Sequence, residues 1–173
     1  LTPQDIAISK GATVSLWPLK NWRIMAAMSK TITPEACPCG GPSLATCCGP
    51  FIEGCALPPT AEALMRSRYT AYALKNEPYL LATWHPSTRP TEPIVDEKEP
   101  IRWLGLEVKS ALRLRQRKVN SPDNPDSDTV EFVARFKVGG RAHRLHEVSR
   151  FLREPDPETG APRWYYVDGS FPS

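Results

Sequence analysis

The residues best suited to chemistry lie in one short stretch. Four of the five cysteines, Cys37, Cys39, Cys47 and Cys48, fall within PEACPCGGPSLATCCGPF, and residues 56–173 contain none. A disulfide framework spreads its cysteines through the fold it staples. Bridges inside so short a window would close small loops and stabilise little. Metal ligation is the better reading, and it implies a reducing compartment, the cytosol. The pattern is Cys-Pro-Cys, seven residues, then Cys-Cys-Gly. A Cys-x-Cys pair on a tight glycine turn offers two sulfurs to one point, and N–H groups around Gly40 and Gly41 can steady thiolates. Zinc takes four such ligands in a tetrahedron, with sulfur at about 2.3 Å. Iron–sulfur ligation is an alternative, and ordinary buried or reactive cysteines are the plain one. A closed four-thiolate set has no open position for water, so one zinc here would be structural.

Other chemistry is sparse. The chain has no Gly-x-Ser-x-Gly, phosphate loop, His-Glu-x-x-His or Gly-x-Gly-x-x-Gly. Of the three histidines, His85 follows Trp84 at an expected helix end, where imidazole commonly caps carbonyls. His143 and His146 have opposite strand parity, so they face opposite ways and cannot share a metal.

These residues need elements to position them. Residues AVILMFWYC make up 40% of the chain and charged residues 24%, enough for a core and ordinary for a globular protein. The net charge of +3 is too weak to argue for nucleic acid by itself. No apolar run approaches the roughly 18 residues of a membrane span. Nineteen of 173 residues are proline, about twice the usual 5%, so long loops should separate well-punctuated elements. Residues 1–33 show no sustained period and read as a weakly ordered extension, with 1–27 an upstream segment that a chain starting at Met28 could lack. Residues 34–59 are too rich in Pro, Gly and Cys to bury a core, so their order must come from metal. Chelation should therefore unfold 37–48 locally and leave the rest standing.

From Thr60 a helix is predicted. Thr60 is a good N-cap, Glu62 suits the first turn, and Ala61, Met65, Tyr69 and Tyr72 follow a 3.6 period. A second, short helix starts at Asn76 with Pro78 in its first turn, and residues 86–100 form an extended loop. Then the period becomes two. Leu104, Leu106, Val108, Ser110, Leu112 and Leu114 alternate with more polar neighbours, TVEFVARFKV follows, Gly139-Gly140 makes a tight hairpin turn, and RAHRLHEVSRFLRE and RWYYVDG complete a strand meander. Helices followed by such a meander make an α+β domain, helices packed on one face of an antiparallel sheet.

CPCGGPSLATCCGPF resembles a SEC-C motif, the small zinc hairpin also found at the tail of the SecA translocase. PTAEALMRSRYTAYALKNEPYLLATWHPSTRP and the ending RLHEVSRFLRE…RWYYVDG resemble the YchJ-like family of bacterial proteins. Three segments match in order, over about residues 34–169. The resemblance implies a SEC-C zinc knuckle at 34–59 and a nuclear-transport-factor-2-like (cystatin-like) cone at 60–173, often with a pocket. Two departures stand out: the spacing from Cys39 to Cys47 is one residue shorter than in the SecA tail, and Cys47-Cys48 replaces a Cys-His pair. Cys55 matches no motif position, so the zinc set is Cys37, Cys39, Cys47 and Cys48.

Folds of this class host enzymes that use a pocket carboxylate. Glu147 has the parity for that role, and Asp168, which shares the parity of Trp164 and Tyr166, is a weaker candidate. Arg68, Tyr69, Trp84, His143 and Glu147 are the pocket candidates. On the first helix Arg68 falls inside the apolar sector, and counting back from the hairpin turn pairs Phe132 with Glu147. Two buried charges on facing elements need partners, so Arg68 and Glu147 are predicted to form a buried ion pair. Arg113, Arg115, Arg117 and Lys118, with Arg141, Arg144, Arg150 and Arg153, could make a basic face for RNA or an acidic partner. The reading as a whole is a cytoplasmic zinc protein acting as a binding or adaptor module, more a binder than an enzyme. Its knuckle would contact a protein or the ribosome, and no membrane is involved. The alternative is an enzyme or small-molecule binder that uses the cone's pocket and Glu147. A filled pocket would favour the first, and an open apolar one the second.

Overall fold

The computed structural model describes residues 35–95, 101–109 and 124–172. The expected N-terminal extension, the strand continuation at 110–114 and the basic residues Arg113, Arg115, Arg117 and Lys118 lie outside them. Residues Pro34–Ser173 form one compact unit.

The cysteine segment ends in a single helical turn, α1 (Gly49–Ile52), and the predicted helices follow as α2 (Ala61–Ala73) and α3 (Glu77–Ala82). The Thr60 hydroxyl accepts the amide of Ala63 at 3.1 Å, and Glu62 binds Arg66 one turn on at 2.9 Å. These tie down the orphan N–H groups and the positive end of α2. At its other end, amides of Lys75 and Asn76 return to carbonyls of Tyr72 and Ala71, with Lys75 in the left-handed region at φ 57°. That tight stop leaves Asn76 free to cap α3 through the amide of Tyr79. The loop beyond Pro86 folds back over α3, where the Glu77 carboxylate receives the amides of Ile94 and Val95.

Four antiparallel strands, β1 (Arg102–Val108), β2 (Ser127–Val138), β3 (Arg141–Pro155) and β4 (Pro162–Ser170), make a curved meander in the order β1-β2-β3-β4. The Gly139-Gly140 turn, both residues at positive φ, pairs Val138 with Arg141 and so Phe132 with Glu147, as counted from the sequence. One face of the sheet, carrying Val130, Phe132, Ala134, Phe151 and Trp164, packs against Leu64, Met65 and Tyr69 of α2.

Two irregularities break simple alternation. The β1 register shifts between Trp103 and Gly105, leaving Leu104 unpaired and exposed, so Trp103 joins Leu106 and Val108 on the core side opposite Phe136, Ala134 and Phe132. The grouping of Leu104 with Leu106 is thereby corrected. The second shift lies opposite Arg150 and Phe151: Tyr166 pairs with Phe151 and Asp168 with Arg150, so Val167 is the extra residue. Tyr166 and Asp168 share numerical parity yet stand on opposite faces, because a bulge adds one residue to one strand only. Asp168 is removed from the pocket candidates: it is exposed and holds Arg150 through two bonds.

Candidate functional site

Two sites share α2. The first is the cysteine cluster, which meets α2 at Arg66 and Thr70. Backbone bonds set the turn: the amide of Cys37 reaches the Gly41 carbonyl, Gly40 returns to Cys37, and Leu44 binds Glu35. The sulfurs of Cys37, Cys39, Cys47 and Cys48 all lie within 4.8 Å of one another. Cys39 is 3.4 Å from Cys47 and 3.6 Å from Cys48, and Cys47 is 3.8 Å from Cys48. A tetrahedron with about 2.3 Å from metal to sulfur has edges of about 3.8 Å, so the set fits a single thiophilic ion. A Cβ on Gly41 would come within 2.6 Å of the Cys47 sulfur, so only glycine leaves the cradle open there. Without metal, the Cys48 hydrogen bond leads in holding Cys39 down at about 4, while burial pushes Cys47 up to about 11. Cys48 rises too, chiefly through its bond to Cys39. Neighbouring thiolates repel, so the shifts of Cys39, Cys47 and Cys48 run in opposite directions. Cys55 is exposed and outside the cluster.

The cluster is more integrated than the composition of 34–59 implies. Cys37, Cys39 and Cys48 are buried in the same core as Leu64, Met65, Tyr69 and Trp164. The Cys37 sulfur lies 3.6 Å from the Thr70 hydroxyl of α2, Arg66 donates to the Cys39 carbonyl at 3.4 Å, and the Trp164 indole donates to the Pro59 carbonyl at 3.3 Å.

The second site is a cavity of about 140 Å³ on the sheet side of α2. Helix residues Met65, Arg68, Tyr69 and Tyr72 form one wall. Trp103, Phe132, Leu145, Glu147, Ser149, Phe151 and Tyr166 from the four strands form the rest. Of the pocket candidates, Arg68, Tyr69 and Glu147 line it. Trp84 lies behind it, stacked on Arg68, with its indole N–H buried and unbonded. His143 is corrected: it is exposed and stacks on Phe136 outside the cavity, because β3 runs past the end of α2 toward the hairpin tip. His85 does not cap carbonyls either: its ring bonds Ser87 at 2.6 Å and Glu154 at 3.2 Å.

The predicted Arg68–Glu147 ion pair is absent, although both residues are buried and line one cavity. Arg68 Nη1 instead donates at 2.7 Å to both the Leu80 carbonyl and the Thr83 hydroxyl, and the guanidinium lies 5.0 Å from the Trp84 ring and 4.5 Å from that of Tyr166. The last turn of α3 and two π faces thus supply what the parity argument assigned to a carboxylate. Burial lowers the Arg68 pKa from its usual value. Glu147 Oε1 accepts Ser149 at 2.7 Å and the Tyr166 hydroxyl at 3.3 Å. Burial, reinforced by the adjoining carboxylate, raises the Tyr166 pKa, so the phenol keeps its proton and donates. Gly169 completes the seat, because a Cβ there would collide with the Glu147 carboxylate.

Ser149 and Tyr166 were not among the sequence candidates. Ser149 was findable, two residues from Glu147 on the same strand face. Tyr166 reaches Glu147 across the β3–β4 pairing, whose register no turn signal fixes. On the basic face, Arg150 and Arg153 are neutralised by Asp168 and Asp126. Among the described residues, no helix is long and apolar enough to cross a membrane.

Residues 60–169 match the family described as "YchJ, middle NTF2-like domain". The chain is 54% identical over 143 residues to a UPF0225 protein of Chromobacterium violaceum, covering 82% of this chain and 96% of that one. It is 53% identical over 138 residues to one of Ralstonia nicotianae, covering 78% and 90%. The solution structure of a SEC-C motif containing protein from Rhodopseudomonas palustris matches with a TM-score of 0.60 at 33% identity, over 80% of this chain and 99% of that one. A crystal structure of a SEC-C motif containing protein from Psychrobacter arcticus matches with the same score at 25% identity, over 80% and 84%.

Proposed function

Since the chain belongs to the YchJ family, the UPF0225 proteins, we propose that it is a zinc-stapled pocket protein. One structural zinc sits on Cys37, Cys39, Cys47 and Cys48, and the conical domain binds a small molecule in its cavity. The zinc half rests on the sulfur spacings, on the opening that Gly41 keeps, and on the likeness to SEC-C motif structures. Four thiolates converging on one point suit a single tetrahedral ion better than a cluster of irons.

The pocket half rests on one observation: the cavity is open and mostly apolar, yet keeps a buried Arg68 and a buried Glu147 that do not neutralise each other directly. A fold selected only for stability would fill that space or pair those charges. A partner-docking role for the knuckle has weaker support. Its Cys37 sulfur lies against Thr70 of α2, and Leu57 is the one large exposed apolar residue among the described residues before Thr60.

The test has two arms. Metal analysis of purified protein should give about one zinc per chain, lost in Cys48→Ser and kept in Cys55→Ser. Six-membered-ring probes, followed by NMR, should give saturable shifts confined to Met65, Tyr69, Phe132 and Tyr166. Zinc loss from Cys55→Ser sinks the ligand set, and unsaturable or absent shifts with every probe sink the pocket.

A further inference from the structure

The geometry points to the class of molecule the cavity takes: a neutral, planar six-membered ring with a hydrogen-bond acceptor and an N–H donor on its edge, such as a lactam. This rests on the pocket reading above and sharpens it. Size comes first. Cavities of about 150 Å³ accept one benzene-sized molecule, and this one measures about 140 Å³. Its walls include the rings of Tyr69, Tyr72, Trp103, Phe132, Phe151 and Tyr166, which favour a flat partner.

Charge comes second. Among the described residues, the lining holds one cation, Arg68, and one carboxylate, Glu147. An anionic ligand would be held against Glu147 and a cationic one against Arg68, at low dielectric, where either repulsion is expensive. A neutral ligand meets neither.

Hydrogen-bonding capacity comes third. The Arg68 guanidinium carries five N–H groups; Nη1 serves Leu80 and Thr83, and Tyr72 takes a further bond, so N–H donors remain. The Glu147 carboxylate bonds Ser149 and Tyr166 through Oε1, and its Oε2 makes no hydrogen bond to the described residues. The lining thus offers donors at one place and an acceptor at another. A lactam answers both, its carbonyl accepting from Arg68 and its N–H donating to Glu147. Buried polar groups that lose their partner penalise the analogue lacking it.

The experiment titrates the full chain, zinc-loaded, with 2-pyridone, 1-methyl-2-pyridone, toluene, benzoate and benzylammonium, reading NMR shifts of the cavity residues. The expected result is saturation by 2-pyridone, with the other four weaker by about tenfold or more, one net hydrogen bond's worth. Equal binding of toluene or 1-methyl-2-pyridone overturns the lactam inference and leaves the pocket standing. Tighter binding of benzoate or benzylammonium than of 2-pyridone also overturns the inference and leaves the pocket standing. Saturation by none of the five overturns this inference together with the pocket reading. All arms use the unaltered protein, so no outcome depends on a variant that fails to fold.

Discussion

Arg68 and Glu147 share one neighbour, Tyr166, whose ring lies 4.5 Å from the guanidinium and whose hydroxyl donates to the carboxylate at 3.3 Å. The hydrogen bonds of the two charges go to different partners: the end of α3 for Arg68, and Ser149 and Tyr166 for Glu147. Both charges line the cavity without pairing.

Glu147→Gln tests that division. A direct buried pair, broken on one side, costs about 3–5 kcal/mol. Here a glutamine oxygen can still accept from Ser149 and Tyr166, and the loss is the charge-assisted part of two hydrogen bonds. The expected cost is about 1–2 kcal/mol, read from urea denaturation. A loss above about 3 kcal/mol would return Arg68 to the role of direct partner.

Gly169→Ala should destabilise the fold by about 1–3 kcal/mol, since its Cβ occupies the place of the Glu147 carboxylate. In a Glu147→Ala background that place is vacated, and adding Gly169→Ala should cost much less. A double-mutant cycle measures the coupling. Strict additivity would mean that Glu147 seats itself elsewhere.

Metal removal should reach beyond the knuckle. Cys37, Cys39 and Cys48 are packed with Leu64, Met65 and Tyr69, and Cys37 touches Thr70. Chelation is therefore expected to raise hydrogen exchange in 37–54 and along α2 to Thr70, while amides beside the Gly139-Gly140 turn keep their protection. Exchange confined to 37–48 would restore the picture of an independent knuckle. Gly41→Ala should weaken zinc retention, because its Cβ intrudes on the Cys47 sulfur.

Asp156 provides an acid-sensitive clasp in the β3–β4 loop. The Arg163 bond at 2.7 Å leads, with the amides of Thr159 and Glu158, in holding its pKa down at about 2. An unfolded aspartate titrates near 3.9. A depressed folded value means that the clasp stabilises fully above the unfolded pKa, and that this stability drains away as pH falls from about 4 toward 2. The stability gap between the wild type and Asp156→Asn should close over that range. A gap that stays constant to about pH 2 would remove Asp156 from the acid response.

Much of this molecule was determined locally, and those parts were legible. Thr60 and Asn76 start helices because their side chains accept amides three residues on. Gly139-Gly140 turns the hairpin because both positions need positive φ, and that turn alone places Glu147 opposite Phe132. The four-cysteine spacing brings its sulfurs together within a dozen residues of chain, so no distant contact had to be guessed. Tertiary structure decided what depends on surfaces meeting across long separations. The bulges at Leu104 and Val167 reverse the facing of Trp103 and Asp168, and nothing in alternation marks where a strand will gain a residue to follow the sheet's curvature. Arg68 found its acceptors at the end of α3 because the crossing of two helices, not the helical wheel, put carbonyls within its reach. The knuckle's place in the core was likewise invisible, since burial of a sulfur depends on which helix face arrives beside it.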